Sequence, residues 1–182
     1  MTSAPTTVIA LLRGINVGGH NKLPMAQLRD IAADAGFIDA RTYIQSGNLV
    51  ASINIDPGVA GGVLAAAILE STGLRIPIIV RTVQRWADVI TANPFAHVSD
   101  QGAKVHVVFL PAPASDAIRA FDASEFAPDS LAVVGSEIYL YLPDGLGRSK
   151  LAVAVNRLAD VAAGTARNWN TVLRIAALAR AA

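Results

Sequence analysis

Two glycine-centred hairpin signals, each following a strand and a helix, are the feature that most constrains the fold of this chain. The first places the polar tip Gln45–Asn48 between two short apolar strands, and the second places Gly135-Ser136 between Leu131–Val134 and Ile138–Leu142. Glycine at such a tip permits the positive φ that a tight turn between antiparallel strands requires. Both signals therefore predict antiparallel pairing, and Gly135-Ser136 fits a type II′ turn.

The first half of the chain alternates strands with amphipathic helices. Its predicted elements are, in order, strand Val8–Leu12, a helix from Leu23 ended by Gly36, the first hairpin, a helix over Val59–Ile68 and strand Ile76–Val80. A linking helix then ends at Asn93-Pro94, because a residue before proline avoids the helical region. The resulting order, βαββαβ followed by a helix, is typical of a ferredoxin-like α+β fold.

The same order restarts after the linker. The predicted elements are strand Val105–Leu110, a short helix capped by Ser115, the second hairpin, a helix from Ser149 and a final helix over Thr171–Ala179. Segment Thr165–Asn170 supplies either the last strand or a loop. We therefore predict two ferredoxin-like α+β subdomains, residues 1–92 and 93–182, joined by a short helix and linker and together forming one unit.

Composition excludes several classes of protein. At 182 residues and 53% hydrophobic content the chain can bury a sizeable core, and its net charge of +1 argues against nonspecific coating of nucleic acid. The absence of cysteine excludes disulfides, a thiol nucleophile and cysteine-ligated zinc. No apolar run is long enough to span a bilayer. We expect a cytoplasmic protein without a membrane partner, a metal or a cofactor, and the sequence leaves its oligomeric state open.

Segment Arg13–Lys22 predicts an anion site, because it combines glycines, a cation at each end and the start of the next helix. Two further regions are rich in donors and lack carboxylates: the tip Gln45–Asn48, and Arg148–Lys150 together with Arg167–Asn170. We expect loops from both halves to converge on one small anionic ligand or a nucleic-acid backbone. The predicted ligand-binding residues are Arg13, Asn16, Gly18, Gly19, Lys22, Gln45, Ser46, Asn48, Lys150, Arg167 and Asn168.

Gly14 and Gly19 have the spacing of P-loop glycines, but His20-Asn21 replaces the required Lys-Ser/Thr, which excludes a Walker-type triphosphatase. Three other interpretations of these segments stay open. The loop could be purely structural, with glycines for tight turning and Asn16 and Asn21 bonding local backbone. His20 could instead be the acid or base of a phosphoryl- or acyl-transfer enzyme. Finally, the motifs could hold the two halves together.

Trp169 could be a stacking platform for a base, but tryptophans are highly buried on average, and we predict that it packs in the core.

The donor-rich segments are similar to the signatures of a bacterial family of unknown function, DUF1697. The segments that carry the resemblance are Ala10–Gly19, Thr42–Asn48, Asn93–Phe95, Ser149–Leu151 and Arg167–Val172. They extend over nearly the whole chain. The resemblance implies an α+β protein with two similar subdomains, and it implies no activity.

Overall fold

The computed structural model describes residues 4–181, and of Ser99 only the backbone. The chain divides into two compact units, one of Met1–Asp88 with Arg174–Ala182 and the other of Val89–Leu173. The end of the chain thus groups with the first unit, whereas the sequence pattern places it with the second. Arg41 contributes to this grouping, since its Nη1 donates to the carbonyl oxygen of Ala181 at 2.6 Å.

The first unit contains a four-stranded antiparallel sheet. Its elements are β1 (Thr6–Leu12), α1 (Met25–Asp34), β2 (Ile38–Tyr43), β3 (Asn48–Ile53), α2 (Pro57–Thr72) and β4 (Ile78–Thr82), followed by α3 (Val83–Thr91). The strand order is β2-β3-β1-β4, with β1 antiparallel to both β3 and β4. Because β1 is central, the segment that leaves its carboxyl end begins beside the turn between β2 and β3.

Local sequence signals set the ends of these elements. Asp56 accepts a hydrogen bond from the N–H of Gly58 at 2.6 Å, and Pro57 opens α2. Gly73, at φ +73°, ends the same helix in the left-handed conformation. Strand β4 begins after Pro77, two residues later than predicted, and the Pro77 carbonyl accepts from the N–H of Arg13 at 3.0 Å.

The second unit repeats the architecture of the first. Its elements are β5 (Val105–Phe109), α4 (Asp116–Arg119), β6 (Ser130–Val134), β7 (Glu137–Tyr141), α5 (Lys150–Val155), α6 (Ala159–Ala163), β8 (Thr165–Asn168) and the start of α7 (Trp169–Arg180). The strand order β6-β7-β5-β8 matches that of the first sheet position by position. The predicted duplication of two α+β sheets is confirmed.

The structure of the second unit resolves the segment that the sequence left as either a strand or a loop, and it shows the form of the predicted helix and hairpin. Thr165–Asn168 is a strand paired with β5, and the predicted helix from Ser149 is two short helices. The second hairpin has positive φ at Gly135 alone, as a type II′ turn requires, and Val134 pairs with Glu137 across it. Trp169 is 3% exposed, so the prediction that it packs in the core is confirmed.

Each unit has its own apolar core against one sheet face. In the first, Val8, Ala10 and Leu12 of β1 belong to one buried cluster with residues of α1 and α2. In the second, Val108 and Ile138 belong to a cluster with residues of α4 and α5. Within residues 4–181, no helix combines the length and the apolar character needed to cross a membrane.

Candidate functional site

The glycines of the Arg13–Lys22 segment form a tight turn. The N–H of His20 donates to the carbonyl oxygen of Val17 at 3.0 Å, and the two residues pair as an isolated antiparallel bridge. Gly18 and Gly19 between them have φ +56° and φ +80°. Two successive positive φ values are characteristic of a type I′ turn, which favours glycine at both positions. The segment is therefore a small hairpin, here called the glycine hairpin.

Asn16 holds the base of the glycine hairpin. Its Nδ2 donates to the carbonyl oxygen of Leu23 at 3.0 Å and to that of Gln45 at 2.9 Å, and its Oδ1 accepts from the N–H of Leu23 at 2.8 Å. Both N–H groups of the amide are thus used inside the protein. Asn16 shapes the hairpin, and it has no amide hydrogen left for the direct anion contact that the sequence predicts.

Two more asparagines bond local backbone. Asn21 Nδ2 donates to the carbonyl oxygen of Gly14 at 2.9 Å. Asn48 is fully buried, and its Nδ2 donates to the carbonyl oxygen of Tyr43 at 2.9 Å and to Ser46 Oγ at 3.2 Å. Asn16 and Asn21 thus bond backbone, as the structural interpretation of the loop expects, and Asn48 does the same for the turn before β3.

The first two predicted segments lie side by side. The N–H of Leu12 donates to the carbonyl oxygen of Gly47 at 2.8 Å, and the Asn16 amide reaches Gln45. A methyl group added at Gly47 would lie 2.7 Å from Leu12 Cβ and 2.8 Å from Ile15 Cδ1. The glycine hairpin and the turn Ile44–Gly47 therefore form one surface, here called the hairpin surface.

The hairpin surface carries cations and no carboxylate. Arg13, His20 and Lys22 have no side-chain hydrogen bond or ion pair with any residue in 4–181. The sequence holds no aspartate or glutamate between residues 13 and 29 or between residues 40 and 55. Gly18 and Gly19 are exposed residues, and their N–H groups likewise lack an acceptor within the described chain.

The first turn of α1 adds further donors. Pro24 occupies the N-cap position without a side-chain hydrogen bond, and no acidic residue lies in the first turn. The initial N–H groups of an α-helix have no intrahelical acceptor, and the helix dipole places partial positive charge there. Lys22 precedes this end by three residues and is exposed. Positive charge is therefore concentrated around the start of α1.

Most of the predicted residues of the second unit make hydrogen bonds within the protein. Ser149 caps α5 by accepting from the N–H of Ala152 at 2.8 Å, and it donates to Asp129 at 2.6 Å. Lys150, beside it, is exposed and has no side-chain partner within residues 4–181. Asn168 Oδ1 accepts from the N–H of Thr171 at 2.9 Å and so caps α7.

Arg167 is buried in β8. Its Nη1 donates to Thr165 Oγ1 at 2.7 Å and to the carbonyl oxygen of Ala166 at 2.8 Å, and 7% of the residue is exposed. Burial lowers the pKa of Arg167 to about 10, which leaves the guanidinium charged at neutral pH. A ligand of Arg167 would have to reach a group already bonded to its own strand. That segments of both units share one ligand stays a prediction.

A cavity of about 760 Å³ lies at the other end of β1. It is lined by Ala4, Thr6, Ile53, Asp56 and Pro57 among others. Asp56 is engaged there in capping α2, and no cationic side chain lines this cavity. The volume of this cavity does not by itself indicate a ligand. The hairpin surface is the better candidate site, because it carries donors.

His106, the second residue of β5, is a buried histidine. The residue is 8% exposed, and its Nδ1 has no hydrogen-bond partner in the described structure. Burial lowers the pKa of His106, while a backbone hydrogen bond at Lys104 opposes the shift weakly. Burial therefore disfavours the protonated form of His106 in the folded protein relative to the unfolded chain, in which histidine has a pKa near 6.5.

We expect the free energy of unfolding to fall as the pH drops below 6.5, since His106 then binds a proton more readily in the unfolded state than in the folded state. The slope from this residue is at most about 1.4 kcal/mol per pH unit. Urea unfolding between pH 7.5 and 5.5 measures it. His106→Leu should flatten the profile, and His97→Gln, at an exposed position, should not. An equal slope in His106→Leu would contradict this assignment.

Comparison with known proteins supports the fold and the family. The fold is similar to the structure of conserved bacterial protein SP0830 from Streptococcus pneumoniae, with a TM-score of 0.79 over 97% of this chain and 99% of that chain. The two sequences are 18% identical, so the likeness concerns the fold alone. No curated protein matches the sequence significantly. The family described as "Protein of unknown function (DUF1697)" matches residues 6–139, and the chain therefore belongs to the DUF1697 family.

Proposed function

We propose that this protein binds a small anionic ligand, a nucleotide, a phosphorylated metabolite or a nucleic-acid phosphate, at the hairpin surface. The observation that carries the proposal is that the cations of this surface have no carboxylate partner in the described part of the chain. Arg13 and Lys22 lie without a side-chain partner in residues 4–181, on two segments that contain no carboxylate. A bound anion supplies the missing negative charge.

The start of α1 supports the same ligand charge. A cation near a helix N-terminus opposes the helix dipole, at a cost of about 0.3–1 kcal/mol at an exposed position. Lys22 is such a cation, and the first turn of α1 holds no acidic residue to offset it. An anion between the ammonium group and the free N–H groups would convert this repulsion into attraction.

The rigidity of the glycine hairpin favours binding further. Asn16 and Asn21 fix its base through four hydrogen bonds to the backbone, and the type I′ turn fixes its tip. The N–H groups of Gly18 and Gly19 are thus held in place before a ligand arrives. Donors that are already ordered lose less conformational entropy on binding, which raises affinity.

The geometry favours binding over catalysis. A histidine that acts as acid or base is usually oriented by a hydrogen bond to its second ring nitrogen. His20 is exposed, and its ring has no partner among residues 4–181. We therefore assign no proton-transfer role to His20.

Isothermal titration calorimetry against inorganic phosphate, adenosine 5′-monophosphate and a short single-stranded oligonucleotide tests the proposal. Loss of one charged hydrogen bond is worth about 1.5–3 kcal/mol, so Arg13→Ala and Lys22→Ala should each weaken binding about tenfold or more. Arg157→Ala, at an exposed position of the second unit, is the charge-matched control and should bind normally. Absence of binding to all three probes, or equal affinity in the hairpin variants, would refute the proposal.

A further inference from the structure

Ile44 has a backbone conformation that its side chain disfavours. Its φ is +50°, in the left-handed region that glycine and asparagine adopt readily. A β-branched residue at positive φ is an outlier, and such strain costs of the order of 1–3 kcal/mol. Full burial of the side chain does not compensate for this strain, because 49% of Ile44 is exposed.

A second exposed aliphatic side chain belongs to the glycine hairpin. Val17 is 65% exposed, the largest exposed fraction among the large hydrophobic side chains described. Val17 follows Asn16 in the chain, and Ile44 precedes Gln45. Asn16 and Gln45 are joined by the hydrogen bond from Asn16 Nδ2 to the Gln45 carbonyl oxygen. The hairpin surface thus presents apolar groups beside its cations.

Gln45 adds a polar group to this apolar pair. Its backbone carbonyl is occupied by Asn16, but its side-chain amide is exposed and has no partner within residues 4–181. An amide side chain can donate and accept at once, and glutamine pairs in this way with the edge of adenine. The surface thus combines cations, aliphatic groups and an amide without a partner in residues 4–181. Binding of inorganic phosphate alone would need only the cations.

We propose that the ligand of the hairpin surface is a single nucleotide, whose phosphate lies at Gly18, Gly19 and Lys22 and whose base contacts Val17 and Ile44. This inference rests on the proposed anion binding and specifies its ligand. A single nucleotide is favoured over a polymer, because single-stranded nucleic acid is bound along a basic groove with successive phosphate contacts. The whole chain has a net charge of +1. Gln45 would read the edge of the base.

Calorimetry with four probes separates the base from the phosphate. The probes are adenosine 5′-monophosphate, guanosine 5′-monophosphate, ribose 5-phosphate and inorganic phosphate. At least one nucleotide should bind about tenfold more tightly than ribose 5-phosphate, which corresponds to burial of one or two aliphatic groups. Nucleotide and ribose phosphate affinities that agree within twofold would overturn this inference while leaving anion binding intact. Absence of binding to all four would overturn both.

Ile44→Asn tests the role of the strained residue. Asparagine tolerates the left-handed region, so the variant should unfold at a higher urea concentration than the wild type. It should also bind the nucleotide about fivefold to tenfold more weakly and bind inorganic phosphate as before. Ile55→Asn, at an isoleucine that is 41% exposed outside the hairpin surface, should show neither effect. An Ile44→Asn protein with unchanged nucleotide affinity would overturn the inference, and so would an oligonucleotide that binds more than tenfold more tightly than the mononucleotide.

Discussion

Gly47→Ala should lower the free energy of unfolding by about 2–5 kcal/mol, the sum of a left-handed backbone penalty and overpacking. Gly47 has φ +80°, and an added Cβ would lie 2.7 Å from Leu12 Cβ and 2.8 Å from Ile15 Cδ1. Leu12 and Ile15 are fully buried, so neither can move away freely. Relief of the contact would require the turn to withdraw from the end of β1. Urea unfolding monitored by circular dichroism measures the change.

Gly14→Ala is the matched control for this prediction. Gly14 has φ +69°, similar to Gly47, but an added Cβ would meet no atom within 4 Å. Its substitution should therefore cost only the backbone penalty of about 1–2 kcal/mol. The difference between the two variants isolates the steric contribution. Equal destabilisation by both substitutions would show that the close packing of Gly47 against β1 contributes nothing.

Asn16→Asp should destabilise the first unit by about 2–5 kcal/mol, because two donors are lost and a carboxylate faces their acceptors. The substitution preserves size, and aspartate tolerates the left-handed φ of +55° about as well as asparagine. The carbonyl oxygens of Leu23 and Gln45 would then meet negative charge in place of N–H groups. Denaturant unfolding at neutral pH measures the loss of stability.

Asn54→Asp provides the comparison for the added charge. Asn54 is exposed in the same unit and makes no hydrogen bond within the described chain. Its substitution should change stability by no more than about 0.5 kcal/mol, as is usual at open surface positions. If Asn16→Asp behaved like Asn54→Asp, the two bonds that the Asn16 amide donates would contribute little, and the hairpin surface would lack its proposed pre-organisation.

The order of elements was predictable because it depends on local patterns. Apolar runs, helical spacing and glycine turns gave both sheets and both hairpins, including the single positive φ of Gly135. The short strand Thr165–Asn168 was ambiguous, since four residues carry little periodicity. Pairing with β5 across residues 106–109 resolves it, and that pairing joins segments some 60 positions apart.

The composition of the candidate site was also visible in the sequence, but the roles of its members were not. Glycine and asparagine are required both by tight turns and by anion sites, so residue type alone left the two open. The structure assigns Asn16, Asn21 and Asn48 to local backbone bonds, and Arg167 to the interior of its strand. Arg13, Lys22 and Lys150 stay without side-chain partners within residues 4–181.

The strain at Ile44 had no sequence signal at all. Isoleucine favours extended strands, and the pattern around it reads as the end of β2, so positive φ there contradicts its propensity. Turn chemistry and apolar periodicity act over a few residues, so the set of elements follows from local sequence. Which donors are bonded and which stay open follows from the fold, because each long-range hydrogen bond of Asn16 or Arg41 depends on a partner that the fold brings near.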